Sequence, residues 1–309
     1  MNQVAMAARQ LVLAAETEAS ETRQNLHRGI LERVRRGAYA PVVEATDVVA
    51  AQLRACRKIA AVARQLTLPM CISHLSAALV WGLPMLHIPR HTHITQPSKQ
   101  SVGRGDPDLR RHSAFVEVGD RTILDGVPTT SLERTVLDCA RSLWLPEAVA
   151  VTDGALNLGL DLDLVQDRLT DMHGWRGVRR ARSVLNLARV GAESARESQT
   201  RVLLVTNGIA EPILQHEVRT PSGRFRLDMA WPELMVGLEY DGAVKYAELA
   251  NGNPVDVVLW EKERENALRR LGWTIIRVTY RDLKDTVALI GLVQRTLAAA
   301  TRRPLPTLR

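Results

Sequence analysis

The chain has 309 residues, 46% hydrophobic and 24% charged, which is enough for two or three globular domains and excludes a fibrous or wholly disordered protein. No run of eighteen apolar residues occurs and no basic-then-apolar leader opens the chain, so neither a membrane partner nor secretion is expected, and a cytoplasmic location is. A net charge of +7 and a pI of about 9.8 favour polyanionic partners, nucleic acid first.

Three blocks follow in chain order, and the first, 1–50, has the pattern of a small DNA reader. Residues 5–15 are rich in good helix formers. Ser20 is a candidate N-cap for a short polar helix, "ETRQNLHRG", closed by Gly29. "ERVRRGAYAPV" then places Val34 and Tyr39 on either side of a Gly37 turn, as in a two-stranded wing. Helix, helix, short polar helix and basic hairpin is the order of a winged helix-turn-helix, whose short helix enters the major groove. Arg23, Gln24, Asn25 and Arg28 are the candidate base readers, because Asn and Gln can read adenine and Arg can read guanine. Arg33, Arg35 and Arg36 are the candidate phosphate contacts. The plainer alternative is a helical hairpin with a solvated basic face. The stretch "HRGILERVRRGAYAPV" resembles the N-terminal winged-helix domain of AbiEi-type antitoxins. That resemblance implies binding to double-stranded DNA, autorepression and a nucleotidyltransferase-like toxin as partner.

The second block, 51–190, mixes helical segments with a loop-rich middle, and an α/β domain is expected. "CISHLSAALVWGLPML" predicts a buried helix ended by Gly82 and Pro84. His74 stands at its start, and His87, His91 and His93 follow, with His91 and His93 on one strand face. No Cys or acidic partner lies at a zinc-like spacing, so a metal site is not expected here. "TSLERTVLDCARSL" predicts a capped helix with Arg134, Asp138 and Arg141 in structural salt bridges. "SHLSAALVWGLP" and "TSLERTVLDCAR" also resemble the middle part of AbiEi-family chains, which implies a scaffold or partner-binding role. Cys56, Cys71 and Cys139 form no CxxC pair and are expected as reduced core thiols.

The third block, 191–300, reads helix, strands, helix, strand, helix, before a disordered tail at 301–309. "ESARESQTRVLLVTNGI" predicts a helix with Ser194, Ser198 and Arg201 on polar faces. "FRLDMAW" and "MVGLEYD" predict two strands joined by a "WPEL" turn. Alternation puts Glu239 and Asp241 on one face, and a hairpin can bring Asp228 to them. Carboxylates so close raise one another's pKa unless a divalent cation sits among them. Mg2+ (or Mn2+) held by Asp228, Glu239 and Asp241, with Lys245 nearby, is equipment for phosphodiester hydrolysis. A set of exposed carboxylates paired with arginines is the plainer alternative.

Together, "ESARESQTR", "FRLDMAWPELMVGLEYDG" and "WEKERENALRRLGWTIIRVTYRDL" resemble the Vsr-like branch of the PD-(D/E)XK endonuclease fold. The resemblance implies a restriction-endonuclease-like α/β domain with a central mixed sheet. It makes Glu197 the helix acid, Asp228 the first metal ligand and Glu239 the second acid. Asp241 stands where that family's motif has lysine, and Lys245, four residues on, is the candidate amine. The chain is therefore expected to be a multidomain α/β DNA-binding protein with a magnesium-dependent endonuclease domain, in defence or toxin–antitoxin biology. The alternative is a non-catalytic AbiEi-type antitoxin and autorepressor with a decayed nuclease fold.

Overall fold

The computed structural model describes residues 2–65, 70–97, 106–241 and 254–302, with 254–260 as backbone only. The chain is a multidomain α/β protein with mixed sheets, dividing into two compact units, Met1–Ala188 and Arg189–Arg309. The expected tail lies, from 303 on, outside the described residues, as does Lys245.

The first unit opens with α1 (Gln3–Ala8), capped by the Asn2 side chain, which accepts from the Ala5 amide. The helix expected over 5–15 stops at Ala8. The chain instead extends into β1 (Val12–Leu13), because Val12 and Leu13 pair with Tyr39 and Ala38. Sheet pairing overrides a weak local preference here. Next come α2 (Ala19–His27), β2 (Leu31–Arg35) and β3 (Ala38–Pro41), in a three-stranded sheet of order β1-β3-β2. Glu18, not Ser20, occupies the N-cap of α2.

A long helix, α3 (Val48–Gln65), follows. One core cluster contains Val4, Leu13 and Ala40 together with Ile59, Ile72 and Ile94. Residues 1–50 thus share their core with the segment after them, and position 50 is no boundary between units. The second sheet has five strands in the order β6-β5-β4-β8-β7. They are β4 (Cys71–Ile72), β5 (Thr92–Gln96), β6 (Leu109–Ser113), β7 (Arg121–Leu124) and β8 (Val127–Thr130). The sheet is mixed: β5/β6 and β4/β8 run parallel, β4/β5 and β7/β8 antiparallel. Helix α4 (His74–Trp81) lies between β4 and β5 in sequence, and ends at Gly82 with φ +74°. Four helices complete the unit: α5 (Leu132–Ser142), α6 (Leu145–Asn157), α7 (Leu162–Asp171) and α8 (Val178–Leu187). All three cysteines are free and buried, and burial pushes the Cys56 and Cys71 thiols up to about 11.

Gly177, before α8, has φ +88°, and a Cβ there would lie 2.3 Å from the Arg141 carbonyl oxygen. Gly177→Ala is expected to cost about 2–4 kcal/mol, from the left-handed backbone and the clash together. Gly174 also has a positive φ, +74°, but open space around it. Gly174→Ala should therefore cost only the backbone part, about 1–2 kcal/mol. Urea denaturation of the two variants checks the difference.

The second unit starts with α9 (Ala195–Thr206) and a four-stranded sheet of order β12-β11-β10-β9. Its strands are β9 (Ile213–Thr220), β10 (Gly223–Trp231), β11 (Val236–Tyr240) and β12 (Thr274–Val278). β9, β10 and β11 are antiparallel, and β12 joins β11 in parallel. α10 (Pro254–Arg270) makes the crossover between β11 and β12, as a parallel connection requires. α11 (Tyr280–Lys284) and α12 (Thr286–Thr301) follow. Met229, Trp231, Leu238 and Val278 pack with Leu204, Leu289 and Val293, while Leu227 and Ala230 pack with Leu268. Helices thus cover the sheet, and β10 is buried at every position from Leu227 to Trp231.

Ser198 and Arg201 were expected on polar faces of α9, yet both are fully buried. Arg201 pairs with Glu211 at 3.2 Å, so a charged side chain sits inside because a partner waits there. Among the described residues no helix is long and apolar enough to cross a membrane.

Candidate functional site

In the first unit, α2 and the β2–β3 hairpin carry exposed basic side chains, as does the stretch with Arg176, Arg179, Arg180 and Arg182. Arg23, Gln24 and Arg28 are exposed, and Asn25 is half-buried. Only Thr22 of α2 is buried, so most of this short polar helix faces outward. The Arg23 Nε donates to the Ala19 carbonyl one turn back, at 3.0 Å. On the hairpin Arg33 and Arg36 are exposed, flanking the turn at Gly37, whose φ of +75° suits a residue without a side chain.

Arg35 departs from expectation. The register of β2 against β3 shifts between Arg33 and Arg35. A bulge of this kind re-aims a side chain. The Arg35 side chain is only 10% exposed and forms an ion pair with Asp106. It braces the hairpin and is not presented to a phosphate. Arg57 plays a similar part from α3, buried and donating to Glu32, Gln10 and the Pro41 carbonyl.

In the second unit a polar strip crosses the sheet. Glu197 is 4% exposed at the start of α9. Its carboxylate accepts from the Glu193 amide (3.0 Å), the Ser194 hydroxyl (2.8 Å) and the Gln215 side-chain amide (2.9 Å). The Ser194 side chain in turn caps the Glu197 amide. Gln215 lies on β9 opposite Asp228 on β10, between the paired positions Leu227↔His216 and Met229↔Leu214. Its φ of +51° is rare for a side-chain-bearing residue. Asp228, 9% exposed, accepts from the Tyr240 amide at 2.8 Å. The β10/β11 pairing runs from Trp231↔Val236 to Met229↔Leu238, so Asp228 and Glu239 each stand one position beyond its end, and Arg277 of β12 pairs with Glu239.

Glu197 is thus tied to β9 through Gln215, and Asp228 to β11 through the Tyr240 amide. Glu239 does not stand open, however. Arg264 of α10 donates to both its oxygens, through Nη1 to Oε2 at 3.1 Å and through Nη2 to Oε1. Both side chains are nearly buried, 11% and 12% exposed. Burial works against the Arg264 charge, yet Glu239 and then Glu261 outweigh it and raise the Arg264 pKa. Asp241 follows β11, with its amide bonded to the Val278 carbonyl at 2.8 Å. Among the described residues Asp228, Glu239 and Asp241 do not gather closely enough to share an ion. Magnesium is usually held by one or two carboxylates and several waters. With an arginine across both its oxygens, Glu239 has no oxygen left open to an ion in this arrangement.

Sequence reasoning missed Gln215 and the depth of Arg264's engagement. Arg264 lies twenty-five positions from Glu239, with no local pattern joining the two. It also missed a cluster in the first unit. His74, His93 and His112 each offer a ring nitrogen within 4.8 Å of the others. The His112 Nε2 and His93 Nδ1 are 3.1 Å apart, and the His74 and His112 rings stack with centroids at 3.5 Å. Burial, then the neighbouring histidines, hold His74 well below its ordinary value. Burial, with His112 and Arg110 beside it, lowers His93 to about 4, and burial with Arg110 lowers His112 to about 4. The paired spacing of His91 and His93 was the visible signal, but only folding adds His74 and His112. His91 itself is exposed, and His87 bonds Glu147.

No family model matches the chain. Two curated proteins, uncharacterized proteins from two strains of Mycobacterium tuberculosis, are each 32% identical to it over 152 residues. The match covers 48% of this chain and 54% of theirs, so the chain spans about half the length of the curated relatives it matches. Among solved structures, the RV2827C protein from Mycobacterium tuberculosis aligns with a TM-score of 0.38 and 14% identity, over 71% of this chain and 87% of that one.

Proposed function

We propose that the chain is a double-stranded-DNA-binding protein of the AbiEi-antitoxin type. In this reading α2 and the hairpin work as the recognition helix and wing of a winged helix-turn-helix. The observation that carries it is the joint exposure of Arg23, Gln24 and Arg28 on the helix with Arg33 and Arg36 on the hairpin. Arginine and glutamine on a helix can reach base edges, and hairpin arginines can neutralise phosphates. A nucleotidyltransferase-like toxin remains the partner implied by the resemblance.

The second unit, on this reading, is a Vsr-like nuclease frame without catalysis. Arg264 across Glu239 favours a non-catalytic role. Asp228 and Glu239 on adjacent strands, with Glu197 tied to the same sheet by Gln215, favour the second reading, a magnesium-dependent endonuclease.

Fluorescence anisotropy with a mixed-sequence DNA duplex, over a salt series, tests binding. Arg33→Ala and Arg36→Ala are each expected to weaken binding at every sequence and to lower the slope of log K against log salt by about 1. Arg269→Ala, a change at an exposed arginine of the other unit, should leave the slope alone. An unchanged slope in the Arg33→Ala/Arg36→Ala double variant would remove the proposal. Plasmid cleavage in Mg2+ or Mn2+, lost on Asp228→Ala, would favour the endonuclease instead.

A further inference from the structure

We propose that His74, His93 and His112 hold one divalent transition-metal ion, of the zinc type, within the first unit. Three imidazoles from three elements meet: His74 begins α4, His93 is on β5 and His112 on β6. The β5/β6 register pairs His93 with Arg110 and Thr95 with His112. His93 and His112 are thus offset by two positions, which keeps them on one sheet face. His74 has φ +51°, a costly backbone for a residue with a β-carbon. Ser73, fully buried at the N-cap of α4, makes no side-chain capping bond. Its hydroxyl instead lies 3.0 Å from His74 Nδ1. The helix start thus gives up its cap and accepts an unfavourable φ, and both concessions set the orientation of one imidazole.

The chemistry matches a metal with a preference for nitrogen. With Nδ1 turned to Ser73, Nε2 is the nitrogen left to His74 for an ion. The Ser73 hydroxyl at 3.0 Å is the outer partner of this ring, with the Asp138 carboxylate 3.9 Å from Nδ1, beyond hydrogen-bond reach. At bond lengths near 2.0–2.1 Å, tetrahedral nitrogens stand about 3.3 Å apart. The His93–His112 pair is already at 3.1 Å, and the cluster's widest spacing, within 4.8 Å, closes by side-chain rotation of at most about 1.5 Å. The stacked His74 and His112 rings must turn for this. His93 and His112 are half-buried, which leaves a path for the ion and a fourth position for water. Imidazole donors suit zinc, copper, nickel or iron and not magnesium, so this site is chemically separate from the carboxylate strip.

The test uses the full, untagged chain after treatment with a chelator. Calorimetric titration with zinc chloride is expected to show one equivalent bound. Cobalt chloride is expected to give the intense visible absorption of a four-coordinate nitrogen site. His93→Ala and His112→Ala should each weaken zinc binding by more than about 100-fold, beyond the loss seen for outer-shell partners. His87→Ala, at an exposed histidine bonded to Glu147, should leave it unchanged. If either variant fails to fold by circular dichroism, the wild-type cobalt spectrum decides. No zinc uptake by the wild type, only the weak spectrum of aqueous cobalt, or binding retained in folded His93→Ala and His112→Ala would overturn the proposal.

Discussion

Replacing Arg134 with alanine is expected to destabilise the first unit by about 3–5 kcal/mol, the cost of stranding buried charge. Arg134 is 4% exposed, and it faces two carboxylates that are themselves buried, Asp138 at 2% and Asp120 at 4%. Its Nε reaches both oxygens of Asp138 at 3.1 Å, and its Nη1 reaches Asp120 at 2.8 Å. Burial opposes the Arg134 charge, but the two aspartates outweigh it and raise its pKa. Arg168 binds the other oxygen of Asp120, and Arg141 lies 3.8 Å from Asp138. Without Arg134, neither remaining arginine can satisfy both acids. The combined change Arg134→Met, Asp120→Asn and Asp138→Asn should recover part of the loss, because it removes these three buried charges together and leaves only the more exposed Arg141 and Arg168 without their carboxylates. Urea denaturation checks both. A loss under about 1 kcal/mol for Arg134→Ala would mean that water or Arg141 takes over the vacated place.

Arg264→Ala is expected to cost about 3 kcal/mol and to be rescued by a second change, Glu239→Gln. The two side chains bury one another, and Arg264 also donates to the Arg226 carbonyl at 3.3 Å and lies 5.9 Å from the centre of the Phe225 ring. The double-mutant cycle should show a coupling of about 2–3 kcal/mol, near the upper end for contacting residues. A coupling below about 0.5 kcal/mol would contradict the closed geometry. The same variant addresses the carboxylate strip. With the arginine gone, both oxygens of Glu239 are open and Arg277 is the cation left beside it. Magnesium uptake by Arg264→Ala and not by the wild type would identify Arg264 as the residue that keeps the strip closed. Equal uptake by both would mean that the arginine does not guard it.

How much of this was legible in the sequence varies from element to element. The hairpin at Gly37, the cap at Ser131 and the end of α4 at Gly82 follow from residues that permit few other conformations. The hairpin of β10 and β11 followed from alternation, which puts Asp228 and Glu239 on adjacent strands. The salt bridges of Arg134 with Asp138, one helical turn apart, were equally readable. The length of α1 was not, because Val12 and Leu13 answer to a strand twenty-five residues away. Nor was Arg35, whose spacing matches its exposed neighbours until a bulge turns it to Asp106.

The sequence by itself determined what is local: the mixed α/β class, the short polar helix followed by a basic hairpin, and the order of acids along α9, β10 and β11. Helical and strand periodicity depend only on neighbours within a few positions, so they can be read without a fold. The tertiary structure alone decided which charges meet. It placed Arg264 on Glu239, drew Arg35 inward, buried Arg201 beside Glu211 and gathered His74, His93 and His112 from three separate elements. These pairings join residues ten to seventy-one positions apart. Their strength comes from the shared loss of water around both partners, which no stretch of sequence contains.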